Sequence, residues 1–404
     1  MDTEKLSQQR TLTNDGAWCF FADPRAVYYE GVYKRTYIGW LTKMGDVVIG
    51  YYDHDTGEIQ STKIKANLQI DDHANPTILV TKEGYITIYY SAHLGECLFY
   101  CTSVSPEDIS MWGEERTILG NSEGNHGYTY PNPIQLEGED NTIYLFWRGG
   151  NFKPSFAKTN DGIHWSEVNT LITGSGARPY IKYVSNDIDK IFFAFTDGHP
   201  NKEAVNSIYC AYYYAGAIYN LDGTKINNVE KLPIAPSDVD QVYDACLTGN
   251  KAWIWDIALD EEENPIIVYA VFHTTFDHRY HYARWTGTKW ECKEITSAGS
   301  WFPQTPDGKE ESEPYYSGGI ILDHADPTIV YLSKQVNGIF EIEQWQTNDN
   351  GDNWNVEVVT SHSTLNNVRP IVSKGATSHI SHLFWLQGRY IHYTDYDMAI
   401  KFLK

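Results

Sequence analysis

Short apolar or alternating runs bounded by Gly, Asp, Asn and Pro recur along the whole sequence, and no long stretch keeps the i, i+3, i+4, i+7 apolar pattern of an amphipathic helix. A chain patterned this way must bury strands. The most apolar run of each group falls at 46–52, 85–91, 142–148, 190–196, 265–272, 327–333 and 382–387, seven in all. Successive runs start about 40 to 75 residues apart. That is room for a four-stranded sheet with its loops, the repeat length of a propeller blade. Polar turns precede several runs: Lys82-Glu83-Gly84, Gly138-Glu139-Asp140-Asn141 and Asp260-Glu261-Glu262-Glu263-Asn264. The pattern predicts an all-β chain folded as a seven-bladed β-propeller. Two tandem β-sandwiches are the alternative, but no linker divides the chain. The expected organisation is a single propeller domain over 1–404, with 1–16 a flexible or peripheral N-terminal segment.

Two segments support blades over sandwiches. Thr347-Asn348-Asp349-Asn350-Gly351-Asp352-Asn353-Trp354 fits the Asp-box turn S/T-x-D-x-G-x-x-W of sialidase-type propellers, and Thr159-Asn160-Asp161-Gly162-Ile163-His164-Trp165 is one residue short of it. The Asp accepts turn N–H bonds, Gly permits a positive φ, and Trp is expected to pack between blades. Thirty Tyr and 13 Trp against 4 Met also favour pleated, half-buried surfaces. The same two aromatics suit sugar sites, with an apolar face and a polar tip.

A net charge of −22 argues against a broad nucleic-acid or anionic-membrane surface. An acidic ligand would need a local cluster of Arg and His. The six Cys (Cys19, Cys97, Cys101, Cys210, Cys246, Cys292) form no CxxC pair and read as scattered thiols. No stretch of roughly 18 apolar residues occurs, and the start lacks an apolar signal core. The chain reads as a cytoplasmic monomer as it stands, or as periplasmic or secreted if a signal peptide has been removed.

In a propeller the inner strands converge on the central channel, so polar residues at the ends of the apolar runs are candidates for chemistry. Asp71-Asp72-His73-Ala74-Asn75-Pro76 precedes the second run and Ser91-Ala92-His93 ends it, so His73 and His93 flank one hairpin. Asn125-His126-Gly127-Tyr128-Thr129-Tyr130-Pro131 leads into the third run, which ends at Arg148. Gly174-Ser175-Gly176-Ala177-Arg178-Pro179-Tyr180 leads into the fourth, followed by Asp197-Gly198-His199. This set suits removal of a proton beside a carboxylate. Arg neutralises the carboxylate, a His or Tyr takes the weakly acidic C5 proton, and a second His or Tyr protonates the leaving oxygen. Hydrolysis would instead want two carboxylates; Asp71, Asp72 and Asp197 are available, but each lies near a His, where an Asp more often orients the imidazole.

With Trp255-Asp256-Ile257-Ala258-Leu259-Asp260, Tyr282-Ala283-Arg284-Trp285 and Tyr316-Ser317-Gly318-Gly319, these segments resemble the propeller polysaccharide lyases that cleave ulvan and rhamnose–glucuronate linkages. Related α-L-rhamnosidases share that fold. The order His73, His93 twenty residues on, Tyr130, and Arg148 a further eighteen on is the most specific part of the resemblance. It implies Tyr130 and His93 as the acid–base pair, His73 as an orienting or relaying group, and Arg148 with Arg178 as a carboxylate clamp. His126, Tyr128, Tyr180, His199 and Tyr209 complete the expected substrate contacts. The implied partner is an acidic oligosaccharide or polysaccharide. No cofactor is required, although a structural calcium or zinc on His199, Asp256, His273 and His281 is an expectation of the same kind. Plainer readings exist: His73 could merely bond its turn, Tyr130 could be a packed turn aromatic, and His126 could replace His93.

Two other functions stay in play. A rhamnosidase of this fold would use a His on the opposite face near the first blade, where Asp23-Pro24-Arg25-Ala26-Val27-Tyr28-Tyr29-Glu30-Gly31 offers none and His54 is the nearest. A lectin-like propeller would keep the aromatics but has no need of the His–His–Tyr–Arg set.

Overall fold

The computed structural model describes residues 9–174, 178–302, 313–377 and 383–403. Seven antiparallel sheets form seven blades, as the run count predicts. The innermost strands are Ala26–Glu30, Thr77–Val80, Thr129–Leu136, Ile181–Ser185, Lys251–Leu259, Ile320–Leu322 and Asn366–Val372. The apolar runs are not these strands. In blades 2 to 7 each run is the second strand, and in blade 1 it is the third, Val47–Asp53. A strand in mid-blade is covered by the neighbouring blades on both faces and so reads as continuously apolar, as in the burial of every residue of Val47–Asp53. The inner strands must also supply polar groups to the channel. His382, in the last run, lies outside the described residues.

The ring closes through the first strand of the described residues. Gln9–Thr13 pairs antiparallel with Asp395–Leu403, Gln9 opposite Leu403 and Thr11 opposite Lys401, as the outermost strand of blade 7. Part of the expected flexible segment is therefore the closing strand; residues 1–8 lie outside the described residues. Ala26–Glu30 is instead the inner strand of blade 1, tied to blade 7 by a parallel bridge between Val27 and Lys374. The long interval before the fifth run comes from blade 4. There the third strand, Ile208–Tyr214, pairs outward with Ala217–Tyr219 at one end and Gln241–Tyr243 at the other.

Both Asp-box turns form. The Asp161 carboxylate accepts the Ile163 and His164 amides at 2.8 Å, and Trp165 packs edge-on against Tyr89 and Tyr100 of blade 2. The Asp349 carboxylate accepts the Asn353 amide at 2.8 Å, and Trp354 packs on Tyr282 of blade 5. Each Trp thus joins its blade to the preceding one.

Residues 17–24 occupy the channel. Trp18 Nε1 donates to the Arg369 carbonyl in blade 7, the Cys19 amide to Asn75 Oδ1 in blade 2, and the Asp23 amide to Asn132 Oδ1 in blade 3. Phe20 stacks on Trp255 at 4.0 Å and Phe21 packs on Tyr180 at 4.7 Å. The plug divides the channel into two mouths.

Leu12 is the one buried side chain of the closing strand. Leu12→Ala is expected to lower stability by about 2 kcal/mol, readable as a shifted urea midpoint at unchanged slope. A shift no larger than that of a surface control would mean that this strand does not lock the ring.

Candidate active site

The site grows from one turn. Asp71, in extended conformation, caps the 3-10 turn Asp72–Ala74, and its carboxylate accepts hydrogen bonds from two imidazoles. One oxygen accepts the His73 amide at 3.0 Å and meets His73 Nδ1 at 2.7 Å; the other meets His93 Nδ1 at 2.8 Å. The rings are parallel, with centroids 4.2 Å apart. The chain brings His93 back over His73 because Thr77–Val80 and Ile86–Tyr90 form a hairpin.

Their charges differ. His93 Nε2 faces Arg148 Nη2 at 3.0 Å. A guanidinium only donates, so Nε2 keeps its lone pair and His93 is neutral. Burial, then His73 and Arg148, hold its pKa down to about 4. Burial also opposes charge on His73, but the Cys19 sulfur, Asp71 and Asp72 outweigh it and raise its pKa well above the ordinary value. Two stacked imidazoles resist double protonation, and the one nearer both carboxylates takes the charge.

Arg148 ends the second strand of blade 3, opposite Thr129 in the register. It is buried, with Nη1 donating to Tyr180 Oη at 3.1 Å and Nη2 reaching Thr129 Oγ1 at 3.5 Å. Its Nε has no partner, and among the described residues no carboxylate pairs with it. The contrast is Arg369, equally buried, which pairs with Asp72 and donates to Tyr390. Burying a cation without a counter-ion is expensive, so Arg148 is poised for an anion.

Tyr130 reaches the cluster through a bulge. Register shifts between Thr129 and Asn132, and Tyr130 takes φ +61°, a left-handed conformation that costs an aromatic residue energy. Its ring lies 5.6 Å from that of His73 and under the Arg148 guanidinium at 4.6 Å. The Cys19 thiol donates to its oxygen at 3.8 Å. Burial, reinforced by the Cys19 sulfur, pushes the phenol pKa well up, so Tyr130 is a neutral O–H donor.

The remaining expected residues divide. Tyr180 contacts Arg148 directly, and Arg178 lies over the Phe152 ring at 3.9 Å while exposed His126 stacks on that ring at 4.0 Å. His199 packs on Trp253 and Tyr180, its Nδ1 accepting the Asn201 amide; burial, then Arg178 and Arg148, lower its pKa to about 3. Ser175, Gly176 and Ala177 lie outside the described residues. Tyr128 is misplaced by the sequence reading: it is buried against Trp147 with its hydroxyl donated to the Gly120 carbonyl. Tyr209 sits on the third strand of blade 4 and donates to Asp197. The metal set does not assemble either. Asp256 pairs with His324, His273 is exposed at a strand end, and His281 stacks on Tyr269. Among the described residues the groups close enough to hold an ion are Cys19–Asp72–His73 and Asp71–His73–His93.

Sequence reasoning missed Cys19, Thr129 and Tyr393, whose ring stands edge-on to His73 at 4.8 Å. Cys19 arrives on the plug and Tyr393 on a blade 7 turn, so neither has a local signal. A cavity of about 310 Å³ lies at the other mouth, and its lining includes none of His73, His93, Tyr130 or Arg148. Unlike that cavity, the His–Tyr–Arg cluster joins a cation without a carboxylate partner among the described residues, a neutral imidazole and a buried phenol.

Ring nitrogen NMR checks the charges directly: His73 should keep both ring protons through neutral pH, while His93 stays neutral until pH falls to about 4. Titration of both rings near 6.5, the ordinary histidine value, would contradict the arrangement.

Residues 35–298 match the model of the BNR repeat-containing family. The ulvan lyase of Pseudoalteromonas sp. (strain PLSV) is 26% identical over 221 residues, 46% of this chain and 42% of that protein. The ulvan lyase of Alteromonas sp. (strain LOR) is 26% identical over 184 residues, 40% of this chain and 34% of that one. The chain thus spans less than half the length of these two relatives. The ulvan lyase of Nonlabens ulvanivorans is 22% identical over 82% of this chain and 75% of its own. A solved polysaccharide lyase, an ulvan lyase bound to GlcA(1-4)Rha3S, superposes with TM-score 0.74 at 16% identity, covering 97% of this chain and 95% of that one. The likeness bears out both the propeller and the resemblance read from the sequence. With its family model covering well over half of it, the chain belongs to the BNR repeat-containing family.

Proposed function

We propose that this mouth of the propeller cleaves a uronate-containing polysaccharide of the ulvan or rhamnose–glucuronate type by β-elimination. The observation that carries the reading is the buried Arg148 with no carboxylate partner among the described residues, beside a neutral His93. A uronate carboxylate would supply the missing charge and displace His93 as an acceptor of Arg148. That frees the Nε2 lone pair beside the carbon bearing the carboxylate. His93 then takes the C5 proton, the C–H pair forms the C4–C5 double bond, and the C4–O bond breaks. Tyr130, a neutral donor, gives its proton to the leaving oxygen. Arg148 stabilises the charge that develops on the carboxylate, and His73⁺ fixes Asp71, which orients His93. The relatives named ulvan lyase point to the same substrate class.

Hydrolysis fits less well. Asp71 is spent on two imidazoles, Asp72 on Arg369 and Tyr390, and Asp197 on the Ser207 amide and Tyr209. No free pair of carboxylates faces the cluster among the described residues. His54, the nearest His to blade 1, bonds Thr36 Oγ1 and packs between Tyr28 and Tyr52.

Incubation with ulvan should produce the ultraviolet absorbance of an unsaturated uronate; new reducing ends without it would indicate hydrolysis and overturn the reading. Tyr130→Phe should cost about two to four orders of magnitude in kcat. Arg148→Lys keeps the charge but loses the fork, so most activity should go with the fold intact. Because the base is His93, kcat/KM should hold through mildly acidic pH and fall only as pH drops through about 4.

A further inference from the structure

The second mouth holds a cavity of about 310 Å³, lined by the ends of inner strands from several blades and by the lower end of the plug. Phe20 and Phe21 separate it from the His–Tyr–Arg cluster: Cys19 touches Tyr130, while Asp23 lines the cavity. Its size is that of a small-molecule site.

Its electrostatics are the reverse of those around Arg148. Every acid on its wall has a base. Asp23 meets Arg25 at 2.8 Å and Lys182 at 2.6 Å, Asp187 meets Lys374 at 2.7 Å, and Asp256 meets His324 at 2.9 Å. A charged ligand would find no unpaired counter-charge here. Hydroxyl groups would find partners. Asp256 Oδ2 accepts both His324 Nε2–H and the Leu322 amide, leaving Asp256 Oδ1 and His324 Nδ1 without a protein partner among the described residues. An acceptor and a donor on one pair match two neighbouring hydroxyls of a sugar ring. Pro24, Pro133, Leu259 and Ile321 offer apolar surface to the C–H face of such a ring.

We propose that this cavity binds an uncharged sugar of one or two rings, held through its hydroxyls by the Asp256–His324 pair. The His324 imidazole is suited to donate: burial opposes its charge, but Asp256 outweighs burial and raises its pKa. The site stands whatever the other mouth cleaves.

Calorimetric titration of the full chain with L-rhamnose, D-glucose, D-xylose and D-glucuronate tests this. At least one neutral sugar should bind, and more tightly than D-glucuronate. His324→Ala should weaken that binding by roughly tenfold or more, the scale of a lost hydrogen bond to a charged group. Leu259→Trp, which fills the cavity from its half-exposed wall, should abolish it and serves if His324→Ala does not fold. Arg148→Ala should leave it unchanged. Absence of binding by all three neutral sugars, tighter binding of D-glucuronate, persistence in both cavity variants, or loss in folded Arg148→Ala would each overturn the proposal.

Discussion

Asp71 and Asp72 are adjacent carboxylates that both lie against His73 and otherwise face different partners, and the molecule is organised around that division. Asp72, fully buried, pairs with Arg369 and accepts Tyr390 Oη at 2.6 Å, joining blade 2 to blade 7. Its amide donates to the Tyr393 carbonyl and its carbonyl accepts the Cys19 amide, which ties in a blade 7 turn and the plug. Asp71 turns the other way and holds both imidazoles by Nδ1. One turn therefore locks the seam where the ring closes and sets the protonation of the site. Removing the Asp72 charge would leave Arg369 buried without its counter-ion, a cost of about 3–5 kcal/mol for a pair of this kind.

The same division separates Arg148 from Arg369. Arg369 and Tyr130 both take positive φ, +51° and +61°, in bulges of inner strands, each followed by proline. The bulges turn these side chains into the channel. Arg369 is neutralised there and serves the fold. Arg148, paired in register with the residue before Tyr130, is not, and its missing counter-ion is what distinguishes this mouth from the charge-balanced one opposite.

Much of the site was legible because it is built from hairpins. His73 and His93 lie at the same end of one blade because the two strands between them reverse the chain, and Tyr130 and Arg148 meet because Thr129 pairs with Arg148. A spacing in the sequence becomes a contact when one turn intervenes. Tyr128 and Tyr209 were misassigned because strand ends alone do not tell which face a ring takes; the bulge at Tyr130 changes that face two residues after Tyr128. Three of the proposed metal ligands do lie on hairpin-linked strands of blade 5, but the register sets Asp256 opposite Val268 and His281 opposite Tyr269 and leaves His273 at a strand end, so none of them faces another. Cys19 and Tyr393 were invisible for the opposite reason, since the plug and the ring closure are contacts between distant segments. The seven runs counted the blades correctly yet marked mid-blade strands, because apolar continuity reports burial on both faces rather than nearness to the axis.

The central claim is that Arg148 binds the carboxylate of the sugar whose neighbouring C–H faces His93. A crystal structure of folded Tyr130→Phe with an ulvan oligosaccharide tests it most directly. The account predicts a uronate carboxylate on the Arg148 guanidinium, C5 within about 3–3.5 Å of His93 Nε2, and the leaving oxygen beside the vacated Tyr130 hydroxyl position. A carboxylate bound elsewhere, or C5 turned away from His93, would contradict it.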